Sequence, residues 1–194
     1  MRHVGTVPLE TDRLLLRRFD PLDAASMYQN WASDPQVTKY LTWSTHESPE
    51  VSQGFVNWCV GQYALPNFYN WAVVWKETGA VIGNISAVKC EEAIEEMELG
   101  WVLGRAWWGR GIMTEAARAV IAFFLDRVEA HRVCAGHDTE NVRSGRVMQK
   151  AGMQYEGVRR SGGRNNRGIV DAAVYAILRE DPRAEKPKIF PQTP

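Results

Sequence analysis

The stretch Leu99-Gly100-Trp101-Val102-Leu103-Gly104-Arg105-Ala106-Trp107-Trp108-Gly109-Arg110-Gly111-Ile112-Met113-Thr114-Glu115-Ala116 limits what this chain can become more than any other. An apolar strand-like run enters a glycine-punctuated loop. The loop opens directly onto Ile112, Ala116, Val120, Phe123, Phe124 and Val128, which recur at helical spacing. The junction therefore commits the chain to a strand followed at once by a long amphipathic helix. It also has a chemistry. The first four N–H groups of such a helix have no internal partner, and that end carries about half a positive charge. Gly109 and Gly111 have no Cβ to hold a bulky anion off the backbone. A phosphate or pyrophosphate fits there, with Arg105 and Arg110 as candidate cations at the rim. A tight turn whose glycines only let the chain bend fits the same residues. The spacing lacks the third glycine of a dinucleotide fingerprint, and no Gly-Lys-Ser/Thr marks a P-loop.

The rest of the chain alternates strands and helices. Leu14–Arg18 reads as a first strand. Asp20-Pro21 opens a helix over Leu22–Ser33, with Asp20 as its cap. Ser48-Pro49-Glu50 repeats that start signal ahead of Val51, Phe55, Trp58, Cys59 and Gln62. Asn70–Trp75 and Ala80–Val88 flank the turn residues Glu77-Thr78-Gly79 as a hairpin, and Met97–Leu103 follows as an antiparallel strand. Arg132–Ala135 is a short buried strand, and Ser144–Ala151 a helix stopped by Gly152. Tyr155–Arg160 and Val170–Leu178 are final strands across a polar loop, Ser161–Gly168. A meander combined with β-α-β crossovers predicts an α+β fold, a mixed sheet covered by helices. The expected domain spans residues 9–180; residues 181–194 form a polar, proline-containing tail with no regular element.

The 23 Lys/Arg and 23 Asp/Glu cancel, which argues against a wholesale nucleic-acid binder. The balance hides an asymmetry. Residues 1–104 hold 7 basic against 13 acidic residues, net −6, and residues 105–194 hold 16 against 10, net +6. A basic second half suits a local anionic ligand, and equally a solvated surface. Cys59, Cys90 and Cys134 form no CxxC, and the four histidines have no metal-ligand spacing. We expect a reducing compartment, no disulfide framework and no metal. The longest apolar run, Ala119–Leu125, has seven residues; a membrane span needs about 20. No signal-like segment precedes it, so a cytoplasmic protein with no membrane partner is expected. Eight tryptophans suggest a broad apolar cleft or a packed interface, leaving monomer and homodimer both open.

The run Ala106-Trp107-Trp108-Gly109-Arg110-Gly111-Ile112-Met113-Thr114-Glu115-Ala116 resembles the acetyl-coenzyme A loop of the GNAT acyltransferase superfamily, Gln/Arg-x-x-Gly-x-Gly/Ala. Ala106 departs from it, standing where the family prefers Gln or Arg. Asn141-Val142-Arg143-Ser144, continuing to Lys150-Ala151-Gly152-Met153, resembles the family's Asn-x-x-Ser…Lys-x-Gly-Phe/Met signature. Leu9-Glu10-Thr11-Asp12-Arg13-Leu14-Leu15-Leu16-Arg17 resembles the opening strand of its ribosomal-protein N-terminal (alanine or serine) acetyltransferase-like branch. The resemblance covers about residues 9–180. It implies the GNAT acyltransferase fold, a central, mixed, mostly antiparallel sheet with helices on both faces, splayed between the strands at Met97–Leu103 and Arg132–Ala135. It further implies acetyl-coenzyme A as co-substrate in that opening, its pantetheine arm along Trp101-Val102-Leu103 and its pyrophosphate on Gly109, Arg110, Gly111, Ile112, Met113 and Thr114. The reaction implied is direct attack of an amine on the thioester, in keeping with the absence of a Cys or Ser paired with His and Asp.

Glu98 resembles the acidic residue many family members use as a base, and is equally one more solvated carboxylate beside Glu91, Glu92, Glu95 and Glu96. Many relatives donate a proton from a Tyr seven residues after the Asn. That position is Met148, which cannot donate. Ser144 is the alternative acid, or part of a helix cap. Asn141 binds the pantetheine amides or closes the turn. Trp31, Trp43, Trp58 and Tyr40 fall where the family builds its acceptor pocket, and ordinary core explains them as well. His137 reads as a structural histidine. Arg164 and Arg167 suit an acidic peptide or a solvated loop, and the acidic run Glu91–Glu98 a basic peptide tail. The leading expectation is an acetyl-coenzyme A-dependent N-acetyltransferase acting on a protein N-terminus. A small-amine acetyltransferase and a catalytically weak coenzyme A-binding module stand behind it, and a nucleotide-binding protein further back.

Overall fold

The computed structural model describes residues 1–183, so the tail expected at 181–194 lies, from residue 184 on, outside the described residues. Thirteen main elements follow one another among the described residues. They are β1 (Leu9–Glu10), β2 (Leu14–Arg17), α1 (Asp23–Met27), α2 (Pro35–Thr38), α3 (Pro49–Gln62), β3 (Asn70–Trp75), β4 (Ala80–Glu91), β5 (Glu96–Leu103), α4 (Ile112–Phe123), β6 (Arg132–Asp138), α5 (Val142–Lys150), β7 (Gln154–Asn165) and β8 (Gly168–Leu178). The strands form one sheet in the order β1-β2-β3-β4-β5-β6-β8-β7. Every neighbouring pair is antiparallel except β5–β6. The α+β, mixed and mostly antiparallel expectation holds.

Each face of the sheet has its own core. On one, α4 presents Ile112, Ala116, Val120 and Phe123 to Met97, Leu99 and Val133. Its small residues let the helix sit close to the strands, while Arg118 points outward. Phe123 and Phe124 meet Tyr69 and Trp71 edge-on, with ring centroids 4.9–6.0 Å apart, the arrangement aromatic quadrupoles favour. On the other face, Met27, Trp31, Val56 and Cys59 from the first helices cover Ala72, Val81 and Val102. No helix among the described residues is long and apolar enough to cross a membrane.

Three local expectations are corrected. The helix expected over Leu22–Ser33 is α1 followed by a π-helical turn at Tyr28–Ala32. Its start is held reciprocally: Asp20 accepts the Leu22 N–H (2.9 Å), and Asp23 accepts the Asp20 N–H (2.8 Å). The polar loop expected at Ser161–Gly168 is mostly strand. Only Asn166 and Arg167 turn, because Asn165 pairs with Gly168 across a two-residue hairpin. The surplus residues are absorbed by a bulge between Arg159 and Gly163, where Ser161 takes φ 50° and donates its N–H to Asp171 at 2.7 Å. The strand expected at Arg132–Ala135 continues to Asp138, since β8 pairs with it throughout.

The feature that makes a site is the parting of β5 from β6. They pair only from Glu96–Leu99 against Arg132–Ala135. A register shift between Ala87 and Lys89 on β4 bends the neighbouring strand. From Gly100 to Leu103 the outer edge of β5 has no strand beside it among the described residues.

Candidate functional site

A cavity of about 680 Å³ fills that opening. Of the residues expected to hold the co-substrate, Trp101, Val102, Leu103, Gly109, Gly111, Ile112, Met113, Thr114, Asn141 and Ser144 all line it. Arg110 does not; its side chain is exposed.

The α4 end is built to present bare N–H groups. Gly109 and Gly111 sit at φ 76° and 74°, a region that costs other residues about 1–2 kcal/mol. Gly111 is the N-cap and offers no side chain, so no cap bond covers the end. The Glu115 N–H is the one that bonds back to the Gly111 carbonyl, at 3.1 Å, leaving those of Ile112, Met113 and Thr114 without helical partners. The loop is braced from the turn between β1 and β2. Arg13 donates to the Arg110 carbonyl (3.0 Å) and to the Glu115 carboxylate (2.7 Å), which also takes the Thr11 hydroxyl (2.6 Å). Burial pushes the Glu115 carboxyl up, but the hydrogen bonds from Thr11 and Arg13 outweigh it and hold it below the usual carboxylate range.

The cations at this wall come from α5. Arg143 stacks over Trp108 at 4.6 Å from the ring centroid, and Arg146 and Lys150 also line the cavity. The sequence signal for them is a spacing of three and seven, which puts them on one helical stripe. Arg105, expected at the rim, is instead paired with Asp34 at 2.8 Å.

Backbone direction divides Trp101-Val102-Leu103. The Gly104 N–H donates to Ile82 on β4 (2.8 Å), while the Leu103 carbonyl accepts the Trp108 indole N–H (2.8 Å). The Leu103 carbonyl thus points to the open edge. Successive residues alternate, so Trp101 and Leu103 turn their backbone groups outward and Val102 turns its own toward β4. A Cβ on Gly83 of β4 would indeed collide with the Val102 carbonyl. The open edge offers the Trp101 N–H and C=O and the Leu103 N–H; Val102 contributes its side chain to the opposite wall.

Asn141, not Ser144, caps α5, its Oδ1 accepting the Ser144 N–H at 3.4 Å. Ser144 therefore has no capping duty; it lines the cavity, and its hydroxyl has no protein partner among the described residues. Met148 is buried at 1% exposure. His137 binds the Asp138 carbonyl through Nδ1 (2.7 Å), stacks on Tyr175 and packs its Nε2 against Gly145, a structural position.

Glu98 is half-buried, pairs with Lys89 and Cys134 in the sheet, and lies outside the cavity wall. The carboxylate that does line the wall, Glu140, is engaged by Arg167 at 3.2 Å. The acidic run is largely consumed internally. Glu92 meets His3 (2.6 Å) and Glu96 meets Arg132 (2.5 Å), at the end of β5 away from the cavity. On the far wall stand Gln36, Lys39, Tyr40 and Leu41. Trp31 is core and Trp58 is half-exposed elsewhere, so of the aromatic residues expected in an acceptor pocket Tyr40 alone lines the cavity.

The family model described as acetyltransferase (GNAT) domain matches residues 13–154. A Bacillus subtilis (strain 168) protein named uncharacterized N-acetyltransferase YnaD is 31% identical over 173 residues, 89% of this chain and 98% of that protein. The [ribosomal protein uS5]-alanine N-acetyltransferase of Escherichia coli (strain K12) is 26% identical over 162 residues, 80% of this chain and 82% of that one. Among solved structures, an acetyltransferase (GNAT family) from Bacillus anthracis superposes with a TM-score of 0.80 at 28% identity, covering 90% of this chain and all of that one.

Proposed function

The chain belongs to the GNAT acetyltransferase family, and we propose that it transfers the acetyl group of acetyl-CoA to the N-terminal amine of a protein. The family makes the chain an acyl-CoA-dependent enzyme. In this reading the diphosphate lies on the N–H groups at the start of α4, with Arg143, Arg146 and Lys150 beside it. The pantetheine amides pair with the outward groups of Trp101 and Leu103, and the free amide nitrogen of Asn141 supplies a further donor.

The observation that supports an N-terminal acceptor is the lack of a disengaged carboxylate in the wall. A protein N-terminal amine has a pKa of about 7.7–8.0 and a lysine amine about 10.4. At neutral pH roughly a tenth of the former is already uncharged, against less than a thousandth of the latter. A site whose lining carboxylate among the described residues, Glu140, is paired with Arg167 suits the amine that asks least of a base. Glu98, outside the wall, assists through solvent. The Ser144 hydroxyl protonates the departing thiolate. The relative that acts on ribosomal-protein alanine lends the same direction to the substrate, and three unpaired cysteines suit a cytoplasmic setting.

Thiol release from acetyl-CoA, measured with a panel of acceptors, tests this. Peptides opening with Ala or Ser are expected to react with kcat/KM at least about tenfold above N-blocked peptides containing lysine and above polyamines. Preference for either of those, or acetyl found on a lysine side chain, overturns it.

A further inference from the structure

At the far end of β4 a second cluster of reactive side chains lies outside the cavity. His3 comes from the N-terminal segment, Cys90 from the end of β4 and Glu92 from the turn that follows. Their ligand atoms lie within 4.8 Å of one another. His3 Nε2 is 2.6 Å from Glu92 Oε1, Cys90 Sγ is 3.5 Å from the same oxygen, and Sγ lies 3.9 Å from Nε2. The imidazole is held in place from behind. Its Nδ1 is 3.0 Å from the hydroxyl of the buried Tyr69, which also accepts the Val4 N–H at 3.2 Å.

We propose that His3, Cys90 and Glu92 form a site for a thiophilic divalent transition metal of the zinc class. With metal–sulfur bonds of about 2.3 Å and metal–nitrogen or –oxygen bonds near 2.0–2.2 Å, a tetrahedral ion sets its ligand atoms roughly 3.3–3.6 Å apart. The two pairs that include sulfur already stand close to that range. The third pair is a hydrogen bond, and must open by about 0.7 Å as the ion takes the place of the shared proton. One thiolate, one imidazole and one carboxylate favour zinc or cobalt over magnesium or calcium. Tyr69 serves the bound form as well. Once Nε2 gives its lone pair to the metal, the ring proton sits on Nδ1 and is donated to the Tyr69 oxygen, the orienting contact that ligating histidines use. Loading releases the Cys90 thiol proton to solvent; no bond is made or broken in any substrate. The fourth position is open to water, since Glu92 is exposed.

A nucleophilic role does not fit the same three residues. Burial and the adjacent Glu92 carboxylate push the Cys90 thiol up to about 11, opposite to an activated thiol. The cluster also lies at the wrong end of β5. Cys90 pairs with Met97, whereas the cavity begins at Trp101, about 14 Å along the strand. The ion would pin the N-terminal segment to the β4–β5 turn, and acetyl transfer would proceed without it.

The test uses the full chain, stripped with a chelator, kept reduced with a phosphine and titrated with Co²⁺. A thiolate-to-cobalt charge-transfer band saturating at one equivalent, bleached by Zn²⁺, and a higher melting midpoint with Zn²⁺ are expected. Cys90→Ser should abolish the band, and His3→Ala and Glu92→Gln should each weaken Co²⁺ binding at least about tenfold. Coenzyme A binding by each variant serves as the check on folding. No saturable band, or an unchanged band in Cys90→Ser, overturns the site, as does a Zn²⁺-induced stabilisation that His3→Ala retains. Because the readout is spectroscopic and thermal, its failure is separate from failure of the N-terminal acceptor reading.

Discussion

Ser144 stands third in α5, its N–H taken by Asn141 and its hydroxyl left to the cavity. A hydroxyl that only stabilised the helix would affect folding; one that protonates the departing sulfur affects turnover. Ser144→Ala should therefore lower kcat about 10–100-fold, leaving acetyl-CoA affinity within about threefold. Steady-state kinetics beside a direct binding measurement separate the two, and an unchanged kcat removes Ser144 from the chemistry. Glu98→Gln makes the matching test of a base acting from outside the wall. Turnover should fall at least about tenfold at pH 7 with coenzyme A affinity kept, and normal turnover would dismiss Glu98. At this scale the sequence spoke most clearly where backbone does the work. Gly109, Gly111 and the first residues of α4 were legible because a glycine pair before a helix has few other physical uses. Charged residues were not. Arg110 and Arg105 are nearest in sequence, yet Arg143 and Arg146, one strand and one turn later, face the cavity. A long side chain goes where neighbours leave room, and Trp108 and Asp34 decided that.

Among the elements, α4 depends on its brace to the turn between β1 and β2. Glu115 collects the Thr11 hydroxyl, the Arg13 N–H and the Arg13 guanidinium while lying largely buried. Glu115→Gln keeps the shape and loses the charge, and is expected to destabilise by about 1–2 kcal/mol, or about 3–6 °C in Tm for a chain of this size. The pH dependence has a definite sign. The folded carboxyl titrates below its unfolded value, so its contribution is fully present above the ordinary carboxylate pKa of about 4.3 and is lost as pH falls through the folded value. Denaturant melts should show wild type and variant converging in acid and separating above about pH 5. Gly109→Ala probes the loop itself. A Cβ there meets open space, so only the positive φ resists it. The strain of about 1–2 kcal/mol should move the loop and weaken coenzyme A binding about tenfold, read by calorimetry. Strands and helices of strong period were predictable from local pattern, including the antiparallel meander that positions β5. The strand character of Ser161–Gly168 was not, because glycine, arginine and asparagine hold no alternation. It is β8 that pairs those residues, across a bulge no local rule reveals.

Across the whole molecule, the cavity is closed by contacts between chain segments far apart in sequence. Asn166, in the turn between β7 and β8, donates its N–H to the Leu41 carbonyl (2.8 Å) and its amide to the carbonyls of Thr38 (2.9 Å) and Trp43 (3.0 Å). Arg167 beside it lies over the Tyr40 ring at 5.2 Å. The wall formed by Gln36–Leu41 is thus tied to the last hairpin, and α2 is a single helical turn with little stability of its own. The sequence contained no sign of this, since an asparagine in a polar turn looks alike whether it faces water or a segment 128 positions away. The tie is made to the Gln36–Leu41 wall and includes no α4 N–H group, which yields a prediction that separates the two parts of the site. Asn166→Ala removes two side-chain bonds to buried or half-buried carbonyls, a loss of about 1–3 kcal/mol. Most of it should fall on the Gln36–Leu41 wall. The KM for the amine acceptor is expected to rise about tenfold while coenzyme A affinity stays within about twofold. If calorimetry instead finds coenzyme A binding weakened as much as acceptor KM, then the cavity moves as one body, and the Gln36–Leu41 wall has no separate part in holding the acceptor.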